Sequence, residues 1–224
     1  MPRVTTRTAF LFDLDGTLAD TLPDLAASTN HVRGSFGLPP VDLHAVRAFV
    51  GDGARTLLRR ALAGLDEPLT DALIDDAFER YVAHHREQCT RLTVPFPGVR
   101  EHLERLRHDG HALAVVTNKP ERFAIPVIAH VGLAELLPVV VGGDTLPHKK
   151  PDPAPLVHAL ARLEAPVAGA TIVGDGLQDL RAGKAAGLFT VACLFGYGDP
   201  EALRAEGADA WWSAFGRPEP DGGR

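Results

Sequence analysis

Short apolar runs that break off at polar residues recur along this chain: Thr8 to Phe12, His111 to Val116, Leu137 to Val141, Ala170 to Val173 and Phe189 to Leu194. Runs of this length predict buried strands. Between them, Val99 to His108, Glu121 to Val131, Pro155 to Leu163 and Leu177 to Ala186 carry apolar residues at helical spacing, and Gly187 stops the last. Strand and helix alternate, which predicts an α/β fold with a parallel, Rossmann-like sheet. One interval departs from this. From Ala19 to about Arg91 no strand-like run occurs, and Asp20 to Phe36, Leu43 to Phe49, Gly53 to Ala63 and Thr70 to Cys89 all read as helices, separated by LPPVD and GLDEPLT. The pattern predicts an all-helical insertion after the first strand. Its exit, Thr93 to Val99 (TVPFPGV), has the prolines and glycine of a linker. The expected division is a core of residues 1–18 and 93–215, a helical domain of residues 19–92, and a disordered tail, residues 216–224.

Composition narrows the function. A chain of 224 residues suffices for one core with a small insertion, and its 45% apolar and 23% charged residues are ordinary for a globular protein. The net charge of -6, with no basic cluster interleaved with aromatics, argues against a nucleic-acid partner. Two cysteines cannot build a disulfide framework. The start MPRVTTRTAF lacks a signal-peptide core, and the most apolar stretch, Val131 to Gly143, is too short to span a bilayer. The expectation is a cytoplasmic monomer or homodimer, with no membrane or nucleic-acid partner, acting on a small anionic metabolite.

Candidate chemistry sits where the strands end. In parallel α/β sheets, residues just past the carboxyl ends of strands share one crevice. Those positions hold Asp13 and Asp15, then Thr117 and Asn118, then a loop ending in Lys149, Lys150 and Pro151, and finally Asp175 and Asp179. Clustered carboxylates imply a shared proton or a bound cation, and Mg²⁺ suits an all-oxygen set completed by water and phosphate. Lys150 adds charge against a phosphate dianion, and an ionised aspartate is a nucleophile that needs no separate base at neutral pH. The Asp-x-Asp-Gly pattern also opens calcium loops, but Thr17-Leu18-Ala19 lacks the further oxygen ligands such a loop requires. The tetrapeptide VGDG occurs twice, at Val50 to Gly53 between insertion helices and at Val173 to Gly176 after a strand. The flanking residues do not match, so the copies are expected to have different roles.

These residues resemble the motifs of the haloacid dehalogenase superfamily of phosphotransferases: DLDGT at Asp13 to Thr17, Thr117-Asn118, Lys150 in KKPDP, and GDGLQD at Gly174 to Asp179. The resemblance implies Asp13 as a nucleophile that forms an aspartyl-phosphate and ligates Mg²⁺, and Asp15 as general acid and base, with its main-chain carbonyl on the metal. It also implies that Thr117 and Asn118 bind the phosphoryl group, Lys150 stabilises its charge, Asp175 ligates the metal, and Asp179 orients the metal's water or Lys150. Gly16, Thr17, Asn118 and, from the helical cap, Gly51, Gly53 and Arg55 are the expected phosphate- and substrate-binding positions. Where the family commonly has Ser, this chain has Gly176, which removes a side-chain hydrogen bond. Within the superfamily, FVGDGARTLLRRAL, VTNKPERF, GGDTLPHKKPDPAPL and FGYG are similar to phosphoglycolate phosphatases, while ERY, TNKP and GD-L-D stretches also fit N-acetylmuramic acid 6-phosphate phosphatases.

Plainer readings stand beside these. His84 and His85 are expected to face different directions without a metal role, and Trp211-Trp212 to pack the last strand. Arg55 and Arg59 share a helix face that is either solvated or lowered onto an anionic substrate. Dehalogenation or phosphonate cleavage needs no acid two residues after the nucleophile, so Asp15 favours phosphate esters. A sugar phosphomutase and a non-catalytic binding module remain alternatives.

Overall fold

A computed structural model describes residues 8–219. Strand β1 (Ala9–Phe12) leads through β2 (Ala19–Asp20) into helices α1 (Leu22–Ser35), α2 (Leu43–Phe49), α3 (Ala54–Ala61) and α4 (Asp71–Gln88). The chain returns through β3 (Val94–Pro95) and α5 (Val99–His108), and then β4 (Ala112–Val116), α6 (Glu121–His130), β5 (Val139–Val141) and α7 (Ala154–Arg162) alternate. The alternation continues with β6 (Thr171–Gly174), α8 (Leu177–Ala186), β7 (Phe189–Cys193), α9 (Pro200–Glu206), β8 (Ala210–Ala214) and β9 (Arg217–Pro218).

The main sheet runs in the order β5-β4-β1-β6-β7-β8-β9, parallel except for the last pair. Its central strands are apolar on both faces because both are covered. Phe12, Leu113, Val115 and Val173 face α5, α6 and the helical insertion, whereas Leu11, Ala114 and Ile172 face α7 and α8. From β1 the order steps to β4 on one side and to β6 on the other, which opens a crevice at the carboxyl end of β1.

The insertion helices lie close to their expected bounds. Asp42 accepts from Ala45 N at 2.8 Å to start α2, and Thr70 accepts from Leu73 N to start α4, each cap being worth ~1 kcal/mol. Helix α3 buries Leu57, Leu58 and Ala61 and turns its arginines outward. Among the described residues, no helix is long and apolar enough to cross a membrane.

Two features depart from the sequence pattern. The linkers at either end of the insertion are not loose: Ala19 pairs with Pro95 and Asp20 with Val94 in a two-residue antiparallel ladder, too short for any periodicity to signal. The buried carboxylate of Asp24 reinforces it, accepting from Leu92 N, from both Thr93 N and Thr93 Oγ1, and from Gln88 Nε2. The expected disordered tail begins too early. Arg217–Pro218 is a strand paired antiparallel to β8, so the chain is ordered past Gly216, and residues 220–224 lie outside the described ones.

Candidate active site

Four strand ends meet in the crevice. Asp13 follows β1 and is buried, its main-chain N-H bonded to Val173 O at 2.9 Å and its Oδ1 accepting from Leu14 N at 2.7 Å. Lys150 Nζ lies 3.1 Å from Asp13, donates to Val116 O at 2.6 Å and pairs with Asp179, all inside the protein. Burial alone would lower the Lys150 pKa, but Asp13 and Asp179 outweigh it and hold the ammonium above its ordinary value. This lysine is charged and fixed.

One ligand atom each from Asp13, Asp175 and Asp179 falls within 4.8 Å of the others. Burial first, then the charges of Asp13 and Asp179, push Asp175 up to about 8; burial and Asp13 raise Asp179 to about 7 against the pull of Lys150. One ammonium does not balance three buried carboxylates, so the donor set fits a hard divalent cation. Asp175 is held from both sides, accepting from Thr17 Oγ1 at 2.7 Å and from Tyr197 N at 2.7 Å. Gly16 has φ +85°, and a Cβ there would run into the Asp175 carboxylate, so this turn of the DLDGT segment requires glycine.

The side chain of Asp15 points away from that group. It accepts from Thr21 Oγ1 at 2.6 Å and from Lys119 Nζ at 3.0 Å, and the lysine side chain is 3% exposed. Thr117 is buried at the end of β4 and accepts from Lys119 N. Asn118 Nδ2 donates to Lys150 O at 2.9 Å and, across the crevice, to Gly51 O at 3.0 Å, while its buried Oδ1 has no partner among the described residues. Gly51 and Gly53, the latter at the start of α3, therefore lie over the strand ends.

Several expectations are corrected. Arg55 does not face the site: it pairs with Asp75 on α4, stacks on Phe78 and lines an outer groove, because the packing of α3 on α4 points that helix face outward. The Thr17 hydroxyl is committed to Asp175 rather than to substrate. His84 and His85 converge on one hydroxyl, both Nδ1 atoms lying within 3.1 Å of Ser28 Oγ. The space a side chain at Gly176 would occupy is filled by the Gln178 amide, and Gly176 N donates to Asp179 Oδ2 at 3.0 Å.

The sequence reading also missed residues. Lys119 was legible, as the cation next to Thr117 and Asn118 at the same strand end. Tyr197 follows β7, a strand end to which the same rule applies. Tyr81 stood in the ERY stretch but was given no role: it is one apolar position on α4, yet it lies against Phe123 and lines the site.

The sequence profile of the haloacid dehalogenase-like hydrolases matches residues 10–193. The chain belongs to that family. This hydrolase is 42% identical over 193 residues to a phosphoglycolate phosphatase of Pseudomonas syringae pv. tomato, covering 84% of this chain and 69% of that one. It is 40% identical over 201 residues to a phosphoglycolate phosphatase of Chromobacterium violaceum, covering 88% and 90%. The crystal structure of a predicted phosphoglycolate phosphatase from Haemophilus somnus superposes with a TM-score of 0.87 at 30% identity, covering 95% and 96%.

Two cavities adjoin Asp15 in this hydrolase. One, about 40 Å³, lies between Asp13, Thr117 and Lys119 on the sheet side and Leu57 and Tyr81 on the helical side. The other, about 330 Å³, is polar and runs past Asp175, Gln178 and Arg47. Gly51 borders both.

Proposed function

We infer that this hydrolase is a phosphoglycolate phosphatase, converting 2-phosphoglycolate and water to glycolate and inorganic phosphate. The Asp13 carboxylate attacks phosphorus, and the ester oxygen departs as glycolate with a proton from Asp15. Water, deprotonated by Asp15, then displaces phosphate from Asp13. Thr117 and Asn118 hold the phosphoryl group, and Lys150 offsets the charge shared between it and Asp13. Asp13, Asp175 and the main chain of Asp15, with Asp179 alongside, would hold Mg²⁺, which would supply positive charge against the phosphoryl oxygens. The helices between β2 and β3 act as a cap over the reacting atoms, joined to the core near Leu18 to Thr21 and Leu92 to Gly98. The substrate is a small soluble metabolite, and the setting is the cytoplasm.

The observation that carries the choice of substrate is the small chamber. At ~10–15 Å³ for each water-sized centre, its 40 Å³ leaves room for about three or four heavy atoms. A carboxymethyl group is of that size and an N-acetylated sugar ring is not, so a ring would have to occupy the larger polar cavity on the other side of Asp15. Among the described residues, Lys119 is the one cation lining it, and the start of α3 at Gly53 and Ala54 supplies main-chain donors opposite. With Arg55 turned outward, Lys119 is the counter-ion for the substrate carboxylate, which competes for it with Asp15.

The test is kcat/KM for 2-phosphoglycolate, ethyl phosphate and N-acetylmuramic acid 6-phosphate, in the wild type and in Lys119→Met. 2-Phosphoglycolate should lead. A charge-assisted hydrogen bond is worth ~1.5–3 kcal/mol, so Lys119→Met should raise KM for 2-phosphoglycolate about 10- to 100-fold more than for ethyl phosphate. A lead for the sugar phosphate, or equal effects on both esters, would overturn the reading.

A further inference from the structure

Tyr197, in the loop after β7, contacts more of the machinery than any motif suggests. Its main-chain N-H donates to Asp175 Oδ2 at 2.7 Å. Its phenol oxygen accepts from Thr21 N at 2.7 Å and Leu22 N at 2.9 Å, and donates to Asp20 Oδ1 at 2.8 Å. That oxygen therefore caps the first turn of α1, which its own residue Thr21 does not cap. Thr21 is buried, and its hydroxyl is the donor 2.6 Å from Asp15 Oδ1. One continuous chain of hydrogen bonds thus runs from Asp175 through Tyr197 and Thr21 to Asp15.

The same loop is gripped from the helical side. Arg47 on α2 donates through Nε to Tyr197 O at 2.8 Å and through a terminal nitrogen to Gly196 O at 2.6 Å. The loop has no slack, since a side chain at Gly196 or Gly198 would collide with Asp175.

We propose that Tyr197 is a positioning residue that holds Asp15 at a fixed place relative to Asp175 through Thr21, and that Arg47 completes this brace when the α2 end of the insertion is seated. The phenol does not touch the reacting atoms; it acts through Thr21. The brace makes the placement of the acid depend on the seating of the helices, so proton transfer is favoured only when the site is covered. The proposal rests on the phosphomonoesterase reading, because Asp15 must move a proton for its placement to matter.

The test uses ethyl phosphate, whose hydrolysis does not depend on recognition of a carboxylate, together with calorimetric titration of Mg²⁺. Hydrolysis by the wild type is the control: without it the phosphomonoesterase reading fails, whereas activity unaffected by the variants sinks the brace alone. Tyr197→Phe keeps the ring and the N-H on Asp175. A misplacement of ~1 Å costs up to ~10²-fold, so kcat should fall about tenfold, with KM and the Mg²⁺ Kd each within about twofold. Thr21→Val should cause a similar fall, and Thr21→Ser should restore the rate. Both cuts lie on one chain, so the double variant should be no slower than the slower single variant. Arg47→Met provides the same comparison with Thr21→Val if Tyr197→Phe does not fold. Multiplicative losses, an unchanged kcat in the single variants, or a weakening of Mg²⁺ binding large enough to explain the loss would each overturn the brace.

Discussion

The tetrapeptide Val-Gly-Asp-Gly folds in two ways within this molecule. At Val50 to Gly53 it crosses from α2 to α3, with Gly51 at φ +119° and Gly53 at φ +86°, and the half-exposed Asp52 side chain pairs with Arg60. At Val173 to Gly176 it leaves β6 nearly extended, with Gly176 at φ -116°, and Asp175 is 4% exposed beside Asp13 and Asp179. Solvent and one arginine neutralise the first carboxylate. The second is buried and crowded by its own kind: burial first, and then the charges of Asp13 and Asp179, push its pKa up to about 8. The local sequence is the same in both places. What differs is that a buried parallel strand delivers the second copy among other carboxylates, while the turn between two short helices leaves the first half-exposed and paired with Arg60 along the polar cavity.

Substitution breaks this comparison most sharply at the two aspartates. Asp175→Asn removes a carboxylate from the proposed metal site and should lower kcat/KM by at least ~10²–10³-fold, the scale seen when one preorganised charge-stabilising group is lost. Asp13→Asn should abolish turnover, and phosphatase assays of purified variants with Mg²⁺ present measure both.

A smaller effect separates the two regions by pH. Asp175 and Asp179 are raised to about 8 and about 7, above the ~4 of an unfolded carboxylate. A folded state that binds more protons than the unfolded one loses stability as pH rises. The contribution is therefore complete below pH ~4 and disappears as pH climbs through about 7 to 8. His85 works in the opposite sense: burial, and then Lys119, lower it to about 2, so its contribution holds above ~6.5 and is lost as pH falls. Tm of EDTA-treated protein should accordingly decline from pH 6.5 to 8.5, and Mg²⁺ should restore most of the loss at pH 8. A Tm that rises across this interval without metal would contradict the crowded-carboxylate picture.

The smallest effects belong to the first copy. Asp52→Asn should change kcat/KM for 2-phosphoglycolate by no more than about twofold. Arg55→Ala should alter 2-phosphoglycolate and ethyl phosphate hydrolysis equally, and each change should cost less than ~1 kcal/mol in denaturant unfolding, because both residues sit in exposed ion pairs.

The same contrast explains what the sequence disclosed. Strands were legible because burial on both faces leaves an unbroken apolar run, and the residue after each run is delivered to the crevice by topology alone. Asp13, Thr117 and Asp175 came into view that way, and Lys150 as the end of the loop that follows β5. The face of a helix is also legible, but its neighbour is not: nothing near Arg55 in sequence announces Asp75, twenty residues on. Tyr81 and Tyr197 stood in the ERY and FGYG stretches, but their roles were hidden, one as an ordinary apolar position on α4 and the other because its phenol contacts the distant Asp20 to Leu22 segment. The paired linkers were hidden because two residues hold no period.

Those paired linkers also bear on how such a molecule diversifies. The chain enters the insertion at Ala19–Asp20 and leaves it at Val94–Pro95, with entry and exit held side by side at a strand spacing of ~4.8 Å. To β1 and α5 the inserted segment is a pair of adjacent ends, whatever lies between them. Lengthening a closed loop adds only ~0.6 kcal/mol per doubling, so the ladder is a socket that tolerates exchange. A different helical module grafted at these two positions would inherit the carboxylates and Lys150 and bring its own walls, so the range of molecules admitted can be rewritten provided the new module supplies its own counterparts of Thr21 and Arg47 to place Asp15.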